Sequence, residues 1–254
     1  MWTPYFAFES DEHHDDDEAE GQPAVTAIGL LRGALTVGAI SLAIFVFAPG
    51  IDLAVERLFY AGHGQFIGNH LTLFWLARQG FNVFFYLTCV ITVLGLIIAA
   101  RTASTWLGLG IRKWLFVALC LVTGPLVVAN IGFKDHWGRA RPRDVVEFGG
   151  GKAFTAAFPP SNQCEYNCSF VSGEASSVFI VLFSAALLFR SRSFVALAVV
   201  LGGLSGLTRM AQGGHFLSDV VFAGVLMAIT AGSIQLLFDT LEAERFKALE
   251  QGSA

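Results

Sequence analysis

The chain has 254 residues, of which 54% are hydrophobic and only 14% charged. That balance excludes an ordinary soluble globule, in which about a quarter of residues carry charge. The formal net charge of -4 is misleading, because eight acids lie between Glu9 and Glu20. Without them the chain is mildly basic, and the charge makes no case for a nucleic-acid partner.

Residues 1–23 combine this acidic run with a His13-His14 pair and little aliphatic content. Their composition predicts a disordered tail, with metal capture by the paired histidines as the lesser reading. No cationic region precedes the first apolar run, so Ala24 to Ala48 reads as a retained spanning helix rather than a cleaved signal, with Arg32 snorkelling near its start. Pro49 to Gln79 mixes Asp52, Glu56, Arg57, His63, His70 and Arg78 with aromatics such as Phe59, Tyr60, Phe74 and Trp75. It reads as a partly helical segment on the membrane surface, suited to an interface or the mouth of a lipid access path.

Gly80 to Ala100 and Lys113 to Phe133 are the second and third spans, and Gly173 to Phe189, Phe194 to Leu207 and Phe216 to Phe238 supply three more. Asp239 to Ala254 reads as an amphipathic or frayed tail. The expected fold class is all-α: a polytopic membrane protein with six transmembrane helices forming one domain over 24–238, flanked by the 1–23 and 239–254 tails. Arg101, Arg112 and Lys113 flank one short connection and Arg190 and Arg192 another, with no acid in either. The positive-inside tendency puts both in the cytoplasm. Six spans then leave both termini cytoplasmic and the polar clusters on the opposite side. The loop from Arg143 to Phe170 contains Gly149-Gly150-Gly151 and Pro159-Pro160 and is expected to be irregular. Cys164 and Cys168 lie in it, either as two free thiols or, in an oxidising compartment, as a disulfide.

Three polar clusters interrupt the apolar sequence: Lys134 to Pro142, Ser172-Gly173-Glu174, and Arg209 to Asp219. Ionisable groups abutting membrane spans are costly and mark functional sites by default. A lone Lys134 or Arg209 is more often an interfacial anchor, a lone His215 a satisfied polar residue, and Asp219 an arginine's partner; their joint spacing argues for chemistry instead. Lys134 and Arg141, seven residues apart, would share one helix face before Pro142 closes the helix. His215 and Asp219, four apart, would meet on a helix, the carboxylate fixing the imidazole tautomer. Lys134, Arg141 and Arg209 would neutralise a phosphate, and Ser172 with the Gly173 amide would offer it a helix start. His215 would then attack phosphorus, Asp219 stabilising the imidazolium. This chemistry calls for no metal or other cofactor.

Lys134-x6-Arg141-Pro142, Ser172-Gly173 and Thr208-Arg209-x5-His215-x3-Asp219 resemble the three motifs of the type 2 phosphatidic acid phosphatase superfamily. The resemblance implies a six-helix membrane phosphatase. In it Lys134, Arg141 and Arg209 bind phosphate, His215 is the nucleophile and Asp219 its partner. The family's second motif reads proline-serine-glycine-histidine, the histidine protonating the leaving oxygen, whereas this chain has Val171-Ser172-Gly173-Glu174. Glu174 can donate only if burial keeps it protonated, while a helix start and nearby arginines favour its carboxylate. It is therefore a buried acid, or a carboxylate orienting a cation or water, or the leaving group needs little help. His136, two residues from Lys134, points elsewhere.

The stretch Cys164 to Glu174 is similar to the lipid A phosphatase branch that works on the periplasmic face of Gram-negative inner membranes. This implies a multi-pass inner-membrane lipid phosphatase acting on lipid A or its precursors from the periplasm. Its partners would be the lipid phosphate and the bilayer, with no nucleic acid and no obligate protein partner. The alternatives are an undecaprenyl pyrophosphate or phosphatidylglycerol phosphate phosphatase, a lipid phosphotransferase, or an inactive lipid-phosphate binder.

Overall fold

The computed structural model describes residues 24–102 and 104–252. The expected tail over 1–23, with His13 and His14, lies outside them. Six long helices and several short elements follow in chain order. Helix α1 is Ala27–Phe47, α2 Gly50–Glu56, α3 Ile67–His70 and α4 Thr72–Thr102, with a two-stranded hairpin of β1 (Tyr60–Gly62) and β2 (Gln65–Phe66) before α3. Then come α5, Ile111–Leu121, which continues as a wider helix over Val122–Lys134, α6 (Gly173–Leu188), α7 (Arg192–Met210) and α8 (Leu217–Gly252). The fold is thus mostly helical, and five of these helices are long and apolar enough to cross a membrane. α6, with 16 residues, is the exception; it would span about 24 Å against a hydrocarbon core of about 30 Å.

α6 compensates by position. Ile180, Ala175 and Val178 are fully enclosed and most of its other residues are buried, as expected for a helix that is apolar all round. It packs against α7 and α8, and α1 lies along α8. Glycines allow the close approaches: a side chain on Gly202 would collide with the Phe179 ring, on Gly206 with Val220, and on Gly124 with Met227 and Ile180. In lipid, where apolar residues gain little by leaving the solvent, small residues that let helices touch are a main source of cohesion. Outward-facing leucines, isoleucines and valines of α1 and α4 are exposed in long rows, such as Leu35, Val37 and Ile40.

The third span departs from regular geometry. Pro125 has no N–H to donate, and from Val122 to Lys134 the helix carries wider, i to i+5 bonding. One expectation is corrected here. The helix that holds the second predicted span begins at Thr72, so Phe74, Trp75 and Arg78 belong to it rather than to a separate surface segment. α8 runs on to Gly252, so the polar stretch after Phe238 is helical and continuous with the last predicted span.

Gly202→Ile should force Phe179 aside and cost about 1–3 kcal/mol, the usual range for overpacking, read as a lower melting temperature in detergent micelles at unchanged activity per folded molecule.

Candidate active site

The three polar clusters meet where four helices end. Lys134 closes the α5 helix, Ser172 and Gly173 open α6, Arg209 lies in the last turn of α7, and His215 and Asp219 flank the start of α8. Two segments are stitched together to bring this about. The Cys168 amide donates to the Lys134 carbonyl at 3.0 Å and the Ser169 amide to the Arg139 carbonyl at 2.8 Å. Trp137 stacks on Phe170 with ring centroids 4.8 Å apart, and its indole donates to the Ala157 carbonyl at 2.8 Å. The Ser172 amide donates to the Asp219 carbonyl at 3.1 Å, joining α6 to α8.

Lys134 and Arg141 do not share a helix face. The helix ends at Lys134, Gly138 adopts a left-handed φ of 68°, and Arg141 is extended ahead of Pro142. A side chain at Gly138 would collide with the Ser161 backbone, so the turn requires glycine. The chain loops back on itself, and Arg141 donates to the Asn167 carbonyl at 2.7 Å. Lys134 reaches the α6 start, where a side chain on Gly173 would begin 3.0 Å from its Nζ. Arg209 folds back over Gly214, and a side chain there would sit 2.8 Å from its Nη2. The Arg209 Nε and the Ser172 hydroxyl are buried without a hydrogen-bond partner. Buried donors are rarely left unpaired, and the Ser172 hydroxyl at a helix start suits an anion.

The His215–Asp219 pair is also rearranged. His215 lies before α8, and its Nδ1 is 3.7 Å from Asp219, beyond hydrogen-bond distance, but 2.7 Å from the Ser169 carbonyl. A carbonyl only accepts, so Nδ1 carries the proton and Nε2 keeps a free lone pair. Burial pushes the imidazole down to about 4, with Lys134 and Arg209 adding to the shift and Asp219 opposing it. Asp219 instead accepts from Arg139 at 2.6 Å, from the Phe216 amide at 2.8 Å, and from the Ser169 hydroxyl. It thus holds the residue that holds the histidine.

A family model described as PAP2 superfamily matches residues 113–241. The chain belongs to the PAP2 superfamily. It is 41% identical over 202 residues to a lipid A 4'-phosphatase of Francisella tularensis subsp. novicida, covering 76% of this chain and 88% of that protein. A lipid A 4'-phosphatase of Rhizobium leguminosarum is 31% identical over 221 residues, covering 80% and 94%. One of Rhizobium etli is 30% identical, covering 80% and 85%. These relatives put the chain in the lipid A phosphatase branch of the superfamily. No solved structure matches it significantly.

Against that PAP2 background, Glu174 is held as a carboxylate. Arg78 of α4 donates three hydrogen bonds to it at 2.7 to 3.0 Å, and Arg209 Nε lies 3.5 Å from the same oxygen. A carboxyl accepting on both oxygens from one guanidinium has no proton placed to give away. His136 is exposed, its Nδ1 2.8 Å from the Ile131 carbonyl, and takes no part.

Sequence reasoning missed the support beneath the site. Arg139 is fully buried; it donates to Asp219, to Asp52 at 2.7 Å, to the Ser218 hydroxyl at 2.8 Å and to the Thr155 carbonyl at 3.1 Å. Burial works against its charge, but Asp219 and Asp52 outweigh it and raise the guanidinium above its ordinary value. Asp52 also accepts the Ser218 amide at 2.9 Å. Glu56, one helical turn on, is fully buried with neither oxygen paired. Burial, reinforced by Asp219 and Asp52, pushes it up to about 10, so it is a neutral acid. The signal was present: two acids at i and i+4 in so apolar a chain are costly unless they face a cation.

Glu56 holds its proton to about 10 when folded and loses it near 4.5 when unfolded. Its contribution to stability is therefore complete below about 4.5 and lost as the pH rises toward 10. The melting temperature of the wild type should fall relative to Glu56→Gln across that window. Arg139→Ala, which strands two buried carboxylates, should cost about 3–5 kcal/mol in the same melts.

Proposed function

We propose that the protein is an integral membrane phosphatase that removes a phosphate from lipid A or its precursors at the periplasmic face, through a phosphohistidine. The observation that carries this reading is a neutral, buried His215 with Nε2 free, set among the ends of four helices that supply Lys134, Arg209 and the unpaired Ser172 hydroxyl, with Arg141 on the loop that follows Lys134. The relatives' printed activity supplies the substrate class.

The cations and the Gly173 amide neutralise the phosphate and the charge that builds on its equatorial oxygens during in-line displacement. His215 Nε2 forms the bond to phosphorus as the lipid oxygen leaves. The imidazolium then donates from Nδ1 to the Ser169 carbonyl, with Asp219 close enough to stabilise its charge. Water cleaves the P–N bond and regenerates the histidine.

Orientation follows from where the charges gather. The Val25 amide donates to the Arg190 carbonyl at 3.1 Å, and Arg112 pairs with Glu242 of α8. The basic connections, the start of α1 and the late part of α8 therefore share the end of the bundle opposite the site, which supports six spans with both termini in the cytoplasm. Cys164 and Cys168 form a disulfide, their Cα atoms 5.6 Å apart, and such bonds persist in oxidising compartments. This supports a periplasmic face for the loop and for the helix ends it covers.

Mass spectrometry of lipid A from cells with and without the gene should show loss of one phosphate, located by fragmentation at the 4' position. His215→Ala should abolish that change while the protein still folds, and Arg209→Ala should lower kcat about 10²–10³-fold. Unchanged lipid A in cells making the wild type would sink the reading. The neutral imidazole of His215 is the reactive form, so kcat/KM, corrected for substrate ionisation, should not fall as the pH passes down through 6.5 and should drop only near 4.

A further inference from the structure

Arg141 and Arg209 also line an open cleft of about 700 Å³. The cleft is therefore the outer face of the phosphate site. In-line attack by a buried nucleophile expels the leaving oxygen on the opposite side, toward open space. Glu174, bound to Arg78 and Arg209, is not placed to protonate that oxygen, and the cleft wall is the open surface beside the site. Arg78, Arg141, Arg143 and Arg209 in that wall keep their protons. His70 is the remaining lining residue whose side chain can both give and take a proton at a ring nitrogen.

We infer that His70 is the general acid of the reaction, replacing from another part of the chain the histidine that the second motif lacks. This rests on the phosphatase reading above. Although His70 is exposed, its turn is fixed. The Gly68 amide donates to the Ala211 carbonyl at 2.7 Å, and a side chain on Gly68 would come within 2.6 Å of that oxygen. The turn that carries His70 is thereby fastened to the turn that follows Arg209. Just before it, Phe66 is fully buried between Tyr60 and Phe148, with ring centroids 5.5 and 5.7 Å away.

The proton count closes. As His215 Nε2 bonds to phosphorus and the P–O bond breaks, the His70 imidazolium gives its proton to the departing alkoxide, which leaves as a sugar hydroxyl. Water then attacks the phosphohistidine, neutral His70 takes its proton, and the P–N electrons return to His215. Inorganic phosphate departs and both histidines are restored.

The test compares a leaving group that needs a proton with one that does not, using full-length protein in detergent micelles. On lipid A bisphosphate, His70→Gln should lower kcat about 10²–10³-fold with KM nearly unchanged. On p-nitrophenyl phosphate, whose phenolate leaves unaided, kcat/KM of the same variant, which reports only the steps up to phenolate release, should stay within a few-fold of wild type. Added imidazole should restore part of the lipid turnover of His70→Ala, and this rescue decides the matter if aryl hydrolysis is too slow to read. Equal losses of kcat/KM on both substrates, a rise in KM alone, undiminished lipid turnover or failure of rescue would overturn the assignment. His215→Ala is the control that separates the two claims: it should be inactive on both substrates, and its activity would instead refute the phosphohistidine mechanism.

Discussion

A guanidinium enclosed between two carboxylates underlies the rest of the molecule. Arg139, with no exposed surface, bridges Asp52 on α2 and Asp219 on α8, and the loop that carries it is bonded to the loop that carries Ser169. Two buried carboxylates so close would repel strongly without it, and a lone buried guanidinium would be as costly without them. Asp219, fixed in this way, accepts the Ser169 hydroxyl and the Phe216 amide, and the Ser169 carbonyl sets the tautomer of His215. The geometry of His215 thus descends from an ion pair two residues removed from it.

The surrounding lipid explains why the polar groups are concentrated. The helices present aliphatic rows outward and meet one another through glycines, so little polarity is tolerated along their length. Helix ends are the exception, because their unpaired amides and carbonyls need partners in any case. Four ends gathered at one side of the bundle make one polar chamber, capped by the long irregular loop. α6, short and buried nearly all round, opens inside that chamber.

Replacing the second motif's histidine with Glu174 reorganises the electrostatics locally. Glu174 offsets part of the positive charge of the site and draws Arg78 in from α4, a helix that the three motifs do not include. The candidate site therefore gains a cation, Arg78, where the second motif's histidine is replaced by a carboxylate. The α2–α3 region, which connects the first two long helices, adjoins the candidate site through Asp52, bonded to Arg139, and through the cleft wall it shares with Arg141 and Arg209.

From residues alone one could read a helical membrane protein, the six apolar segments, the residues of the three motifs and the PAP2 family. Each is a matter of local periodicity, hydropathy or fixed spacing, which neighbouring residues carry among themselves. The geometry joining Lys134 to Arg141 and His215 to Asp219 was misread as helical, because a turn at Gly138 and a helix starting at Leu217 depend on what packs around them. Arg78 with Glu174, Arg139 with Asp52, and Ser169 with His215 are separated by 96, 87 and 46 residues. No local pattern encodes such pairings. Tertiary structure decided them, because the free energy of burying a charge is set by whichever distant segment supplies the opposite one.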